Sequence, residues 1–337
     1  MGTQWKTGYN HSVFRRVMML VLVLSLVVGL MPNTVLAAAG VGGQSFSLSS
    51  GQYIRQVVSV DRGEAVVAHL IPISSSEGST RIEAYLDGRR VDRVSGRRDE
   101  VVRLALPPDV AAARASLELR YMCRTRTCRG TAQWVRSTRN ESPAPIVSVY
   151  VNQRSFLDRS GVCKDENNRT VTDGLCMCSD ASAAMALTLG VDEDVSDARN
   201  IASSIFESTA PARRPYGGGQ IVSELIDAIE DLSDYRCRET RISSSSFEQT
   251  LKNAVRLGDP VLFRSRGFSN AGHYVSVIGY KQNGSDIDLH VNDPFGRWVR
   301  KNQWSLNSTS AGSSRGNNVT YPLSSLRSDA SVIVCTP

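Results

Sequence analysis

Residues 258–298 read GDPVLFRSRGFSNAGHYVSVIGYKQNGSDIDLHVNDPFGRW, and this stretch decides the fold of the second half of the chain. Two apolar runs, HYVSVIGY and IDLHVND, flank Asn283-Gly284, a dipeptide typical of a tight β-hairpin turn. A hairpin about this turn pairs residues whose numbers sum to about 567, so His273 is expected opposite Asp293 and Pro294. Directly opposed residues share one face of a sheet, with Cβ atoms roughly 5 Å apart. The hairpin therefore predicts a histidine that is oriented by a carboxylate.

A nucleophile for such a pair is expected upstream, at Cys178. The segment CSDASAAMALTLG, residues 178–190, has residues recurring at helical spacing, which predicts a helix that begins at this cysteine. The unpaired amides and the dipole at a helix N-terminus favour a thiolate, and a nearby imidazolium favours it further. His273 is the favoured base, because His69 lies in the first half of the chain and His290 faces no carboxylate in the predicted register.

A fourth candidate, Gln153, stands at the predicted end of a strand, IVSVYVNQ. Its amide would donate to a tetrahedral oxyanion together with the backbone N–H of Cys178. Each residue also has a simpler interpretation. Cys178 would be a disulfide partner if Cys176 were the free thiol, and His273 would be a structural strand residue. Asp293 would only cap the turn, and Gln153 would be an ordinary strand-end amide.

The motifs NQ, CSDASAAMAL, GDPVLF, GHYVSVIGY and VNDPFG, in this order, resemble the papain-like cysteine peptidases of the C39-like superfamily, relatives of bacteriocin leader peptidases. The resemblance covers residues 146–337. It implies an α+β fold, with a papain-like cysteine peptidase domain made of a helical half and an antiparallel sheet. It also implies catalysis without a cofactor, with these roles: nucleophile Cys178, general base His273, orienting acid Asp293 and oxyanion donor Gln153.

The chain departs from the family pattern at Ser179 and Asp180, where Gly-Pro is usual. A negative charge at Asp180 opposes the thiolate, so we expect it to lower reactivity without abolishing it. The leading interpretation is an exported thiol peptidase that acts by acyl transfer on a peptide or protein substrate. The alternatives are a cell-wall amidase or endopeptidase with a Cys-His pair, and an inactive peptidase-like binding module. No HExxH-type spacing indicates a metal site.

Residues 40–145 contain seven short alternating runs separated by turn signals such as Asp87-Gly88, which predicts a β-sandwich accessory domain. The stretch NESPAP, residues 140–145, reads as a linker to a peptidase domain at 146–337. Sixteen arginines, no lysine and eleven acidic residues give the first segment a charge of about +5. This charge indicates either a solvated surface or a contact with an anionic surface, such as a cell wall or a membrane. No nucleic acid is expected, since no stacking or nucleic-acid motif accompanies the arginines.

Residues 1–37 have the composition of a signal peptide. Arg15 and Arg16 precede the apolar run 17–30, and small residues follow around Ala37 and Ala39. Cleavage would release the protein to the cell envelope or the extracellular space, whereas an uncleaved segment would anchor it in the membrane.

The chain has seven cysteines, and an odd number in an exported protein leaves one thiol over. Fifteen pairings exist for any six cysteines. The spacing in CRTRTC suggests a bond between Cys123 and Cys128, which closes a small loop. One of the open pairings joins Cys163 to Cys176 and Cys237 to Cys335, and it leaves Cys178 as the odd thiol.

Three further helices are expected in ARNIASSIFES, GGQIVSELIDAIEDL and SSFEQTLKNAVRLG. The Gly-rich segment RRPYGGGQ, residues 213–220, is expected to border the cleft. The Ser/Asn/Gly-rich stretch 301–318 is expected to be a long surface loop.

Overall fold

The computed structural model describes residues 41–72, 78–97, 102–144, 149–158, 160, 162–164, 168–188, 195–209 and 222–336. The predicted signal peptide at 1–37 and the segment RRPYGGGQ at 213–220 lie outside these residues. Within the described ranges, no helix has both the length and the apolar character that crossing a membrane requires.

The first half of the chain forms two antiparallel sheets of four strands each, in the orders β1-β8-β3-β6 and β2-β7-β4-β5. Alternate residues of both sheets, such as Ile82, Leu104 and Leu119, are fully buried in one shared core. The strands are β1 Val41–Ser49, β2 Tyr53–Val60, β3 Ala65–Pro72, β4 Thr80–Leu86, β5 Arg89–Gly96, β6 Val102–Leu106, β7 Ala115–Cys123 and β8 Thr127–Ser137.

The hairpin predicted at Asp87-Gly88 is confirmed. Both residues have positive φ, 46° and 83°, and Leu86 pairs with Arg89 across the turn. The second strand of this hairpin, β5, was not expected from the sequence. Its residues are nearly all exposed, because it is an edge strand, so it lacks the alternating apolar pattern of a half-buried strand.

The second half is built on a seven-stranded sheet in the order β10-β17-β11-β12-β13-β16, with β9 also paired to β12. Strands β14 and β15 form a separate hairpin. The helices are α1 Cys178–Leu187, α2 Val195–Ser208, α3 Val222–Leu232 and α4 Phe247–Leu257. The strands are β9 Glu141–Ser142, β10 Arg236–Arg241, β11 Val261–Ser265, β12 His273–Asn283, β13 Asp286–Asn292, β14 Gly296–Arg300, β15 Gln303–Leu306, β16 Val319–Pro322 and β17 Ser331–Thr336.

Helices cover both faces of this sheet, which is why its central strands are continuously apolar. Tyr274 of β12 packs on one side with residues of α1 and α3, such as Ala183 and Leu225. The next residue, Val275, packs on the other side with α4, which contributes Leu251. Successive side chains of a strand point to opposite faces, so a strand between two helical layers needs apolar residues at every position.

The two halves are packed together through α4 and β3. Arg103 of β6 donates to the Asp259 carboxylate at 2.9 Å, and Arg256 of α4 donates to the Gly63 carbonyl. Burial raises the pKa of Asp259, an effect that the charge of Arg103 opposes. Strand β3 is buried along its whole length, on the core side and on the side that faces α4.

The predicted fold class, α+β with a papain-like cysteine peptidase domain, is wrong. About 45% of the described residues lie in strands and 21% in four helices and short helical turns, and the architecture is mainly a β-sandwich-like arrangement of several sheets. The four predicted helices exist. The strand content is higher than predicted, because strands such as β5, β10 and β15 form from exposed, charged or polar sequence that has no strand pattern.

Three local predictions also need correction. The expected strand ending at Gln153 is instead a 3₁₀ turn at Gln153–Ser155, and the tail 301–318 is not one long loop because it contains β15. The central hairpin pairs Asn283 with Asp286, so its register differs by two residues from the predicted one near the turn. An irregularity at Val277–Gly279 reduces this difference to one residue further along.

Candidate active site

The hairpin joins His273 to Asp293. Nε2 of His273 lies 2.8 Å from Oδ1 of Asp293, and both side chains are almost fully buried. His273 is the first residue of β12, and Asp293 directly follows β13, so the antiparallel pairing brings the two together at one end of the sheet. With Nε2 committed to the carboxylate, the other ring nitrogen, Nδ1, faces away from it.

The Asp293 carboxylate accepts hydrogen bonds from three groups besides His273. The Trp304 indole N–H and the Tyr321 hydroxyl donate to Oδ2 at 3.1 and 3.0 Å, and the Phe295 backbone N–H donates to Oδ1 at 3.0 Å. Hydrogen bonds to the charged form compensate for its burial. The carboxylate is therefore held in one orientation with its lone pairs occupied.

The backbone around Asp293 is held by Tyr150 and by the segment 301–318, which the sequence predicted to be a surface loop. The Tyr150 hydroxyl donates to the Asp293 carbonyl at 2.6 Å and accepts from the Asn307 amide at 2.6 Å. The Asp293 N–H donates to the Gly316 carbonyl at 2.9 Å. Gly316 must be glycine here, because a Cβ would lie 2.0 Å from the Asp293 carbonyl oxygen.

The pKa of His273 is raised to about 10. Burial is the largest influence and lowers the pKa, but it is outweighed by the charge of Asp293, the hydrogen bond to Asp293, and the hydrogen bond and charge of Cys178. The imidazole therefore carries a proton at neutral pH and lies between a carboxylate and a sulfur.

Cys178 is the first residue of α1 and is only partly buried. The N-cap residue of this helix, Met177, makes no side-chain hydrogen bond to it. The N–H groups and the dipole at a helix start favour a negative charge on the sulfur. The Ser182 hydroxyl of the next turn donates to the Tyr274 carbonyl at 3.0 Å, which joins α1 to the strand residue after His273. The helix start thus presents the thiol to the imidazole.

Ser179 and Asp180, the two residues that depart from the family pattern, are fully buried in the first turn of α1. The Ser179 hydroxyl donates to the Asp180 carboxylate at 3.2 Å.

Gln153 is joined to the segment that precedes Cys178 by two 3₁₀ turns that pack together, Gln153–Ser155 and Asp173–Leu175. Its amide nitrogen donates to the Gly174 carbonyl at 2.8 Å, four residues before Cys178. A Cβ on Gly174 would lie 2.1 Å from the Gln153 carbonyl oxygen, so only glycine permits this approach. One N–H of the amide remains for another acceptor. Within the described residues, the buried Oε1 of Gln153 has no hydrogen-bond partner.

The predicted disulfides are confirmed, and Cys178 is the free thiol among the described cysteines. The bonds are Cys123–Cys128, Cys163–Cys176 and Cys237–Cys335. The second of these closes the loop that precedes the nucleophile, two residues before Cys178. Three disulfides indicate an environment outside the cytoplasm.

The remaining histidines of the described chain lie away from this cluster. Burial, and secondarily the charge of Arg103, lowers the pKa of His69 to about 3, so this residue stays neutral inside β3. His290 contacts the Thr320 hydroxyl on β16, and burial lowers its pKa. Within the described ranges, no cluster of His, Cys, Asp and Glu is arranged to hold a metal ion.

Sequence reasoning missed the residues that support Asp293: Tyr150, Trp304, Asn307 and Tyr321. The available signal was weak. Trp304 is a large aromatic residue within a polar tail, and an indole in such a segment usually needs a place to pack and a partner for its N–H.

Residues 150–314 match the sequence model of the Peptidase_C39 like family. The match includes all four predicted site residues. No curated protein matches the chain.

Some solved structures show a partial likeness. The chain is 14% identical to PliG of Aeromonas hydrophila, a periplasmic inhibitor of g-type lysozyme, over 30% of this chain and 89% of that one, with a TM-score of 0.23. It is 15% identical to a PliG-Ec mutant from Escherichia coli over 29% and 88%, with a TM-score of 0.20. It is 11% identical to the C-terminal CBM6 of LamC from Zobellia galactanivorans over 30% and 91%, with a TM-score of 0.20. These scores are too low to carry a conclusion about fold or function.

Proposed function

Because the chain contains a C39-like peptidase domain at residues 150–314, we propose that this protein is a cysteine peptidase that hydrolyses peptide bonds. The observation that carries the proposal is the chain of contacts from Cys178 through His273 to Asp293. A partly exposed thiol at the start of a helix, next to a protonated imidazole held by a carboxylate, is the environment of a nucleophilic cysteine.

In the proposed reaction, the Cys178 thiolate attacks the scissile carbonyl carbon and forms a C–S bond. The carbonyl oxygen becomes an oxyanion, which accepts hydrogen bonds from the backbone N–H of Cys178 and the amide of Gln153. Collapse of this intermediate breaks the C–N bond, and the His273 imidazolium gives its proton to the departing amine.

The second half of the reaction restores the enzyme. The neutral His273 takes a proton from a water molecule, whose oxygen attacks the thioester carbonyl. Cleavage of the C–S bond releases the acid product and regenerates the thiolate beside the imidazolium. Asp293 keeps the ring in the tautomer that has a proton on Nε2, so that Nδ1 is the nitrogen that exchanges protons at the sulfur.

The test is hydrolysis of a peptide library by the oxidised protein, with products identified by mass spectrometry. We expect Cys178→Ala and His273→Gln to abolish cleavage. Cys178→Ala should keep a thermal unfolding temperature close to that of the unmodified protein, whereas His273→Gln should lower it, because it leaves the buried Asp293 carboxylate without its imidazolium partner. His290→Gln is the matched control, because it removes another strand imidazole that does not contact the site. If Cys178→Ala still formed the same cleavage products, the proposal would be refuted.

A further inference from the structure

The outward face of the sheet β2-β7-β4-β5 is strongly basic. Every second residue of these strands points into the core of the first half, as Val58, Ile82 and Leu119 do. The residues between them point away from the core. The outward set contains five arginines and two glutamates, with two tyrosines: Arg55, Arg81, Arg90, Arg93, Arg120, Glu83, Glu118, Tyr53 and Tyr85.

The positive charges lie outside the negative ones. Arg55 and Arg90 have side chains that are 45% and 48% exposed, whereas the side chains of Glu83 and Glu118 are only 7% and 14% exposed. Burial tends to raise the pKa of Glu83, but hydrogen bonds from Tyr85 and Arg81 outweigh it and hold the pKa below its ordinary value. Two ionised carboxylates under five guanidinium groups leave an excess of about three positive charges facing the solvent.

The arginines are arranged in cross-strand rows. Arg55 of β2 is paired with Arg120 of β7, which is paired with Glu83 of β4, and Glu83 is paired with Arg93 of β5. Neighbouring strands lie about 4.8 Å apart, so positive groups recur across the face at intervals of one or two strands. A polymer with a negative charge on each repeat can contact several of them at once, which multiplies weak single contacts.

Aromatic rings lie among the charges. The Arg120 guanidinium stacks on the Tyr85 ring, at 4.1 Å from the ring centre, and also lies 5.5 Å from the centre of the Tyr53 ring. Tyr53 is 48% exposed although it is a large aromatic residue. Stacking and the glutamates hold the guanidinium groups in place, so less side-chain entropy is lost when they bind an anion.

We propose that this face binds an acidic polysaccharide, through paired contacts of its arginines with carboxylate groups and packing of sugar rings on Tyr53. The planar fork of arginine matches a carboxylate with two parallel hydrogen bonds. An exposed ring beside it offers an apolar surface to the C–H face of a sugar. The face has few protruding apolar side chains, which favours a glycan over a lipid surface. The inference does not depend on the peptidase activity.

The test uses the full oxidised chain and two probes, polygalacturonate and its methyl ester, which has the same sugar backbone without the charge. Binding is measured by affinity electrophoresis at low and at physiological ionic strength. We expect binding to polygalacturonate that weakens with salt. The variant Arg55→Gln/Arg90→Gln/Arg93→Gln should bind about tenfold more weakly, from the loss of three exposed charge contacts.

The matched control removes three exposed arginines of the same half that lie off this face, with Arg62→Gln/Arg129→Gln/Arg139→Gln. This control has the same net charge as the Arg55→Gln/Arg90→Gln/Arg93→Gln variant. It should nevertheless bind polygalacturonate like the unmodified protein. An equal loss in the control, or equal binding of the methyl ester, would overturn the proposal. Binding to phosphatidylglycerol vesicles and to DNA is measured for comparison. Tighter binding to either of them than to polygalacturonate would also overturn the proposal. If the triple variant unfolds, Arg90→Gln and Tyr53→Ala, measured singly, replace it and should each weaken binding.

Discussion

Replacement of Asp293 by asparagine should change the protonation of His273 at neutral pH. The substitution keeps the size of the side chain and removes its charge. In the native protein, Oδ1 of Asp293 accepts from Nε2 of His273 and from the Phe295 N–H, while Oδ2 accepts from Trp304 and Tyr321. A carboxamide has one oxygen, so it accepts from only one of these pairs and carries no charge that stabilises the imidazolium. The neutral ring becomes the favoured form.

The magnitude follows from the position of the native pKa. The pKa of His273 is about 10, compared with 6.5 for an unperturbed histidine. Each pKa unit corresponds to about 1.4 kcal/mol, so the surroundings favour the imidazolium by about 5 kcal/mol, net of the opposing effect of burial. In Asp293→Asn, burial remains and the contact with Cys178 is the main compensation left. We therefore expect the pKa of His273 to fall by about two units or more.

The measurement is a pH titration of the histidine ring protons by NMR, with the resonance of His273 assigned from its absence in His273→Gln. A second readout is peptide hydrolysis at neutral pH, which should fall by about a hundredfold or more because the ring loses the carboxylate that orients it and stabilises its protonated form. Asp288→Asn is the matched control in the same hairpin. It should lower the pKa of His290, which the charge of Asp288 raises, and leave His273 unchanged.

The reasoning would be refuted by a His273 resonance that titrates at the same pH in Asp293→Asn as in the unmodified protein. The charge of Asp293 would then not be the cause of the raised pKa, and the carboxylate would have only a packing role.

Three further outcomes are expected. Gln153→Ala should lower kcat by about a hundredfold or more with little change in KM, measured on a cleaved peptide, because it removes one oxyanion donor. Joint replacement of Cys163 and Cys176 by alanine should lower the free energy of unfolding in urea by about 3 kcal/mol, as expected for a closed loop of this size; an unchanged midpoint would contradict this. The free energy of unfolding should fall as the pH rises from 6.5 to about 10, because folded His273 binds its proton more tightly than the unfolded chain does; this is measured by urea unfolding at several pH values, and a flat profile in that window would count against a raised pKa.

The arrangement of the candidate site residues was largely predictable because its signals are local. A turn dipeptide indicated that His273 and Asp293 would lie close together. An odd number of cysteines predicted one free thiol, and the suggested pairings assigned it to Cys178. The start of α1 followed from helical spacing. An error of two residues in the hairpin register did not matter, because Asp293 follows the paired part of the strand and its position depends on the loop around it.

The fold class and the support of Asp293 were not predictable in the same way, because they rest on long-range contacts. Strand β10 is charged and exposed, and its pairing partner β17 lies about a hundred residues further along the chain. Trp304 and Asn307 belong to a tail whose polar composition is that of a loop. The tail is ordered because these residues bond to Asp293, to Tyr150 and to the Pro294 carbonyl.

The central claim, that Cys178 is an activated nucleophile, is tested most directly by alkylation of the non-reduced protein with iodoacetamide. Modified residues are mapped by mass spectrometry, and peptide hydrolysis is measured on the same samples over time. We predict that one thiol reacts, that it is Cys178, and that hydrolysis declines in proportion to its modification. Complete alkylation of Cys178 with undiminished hydrolysis would contradict the account.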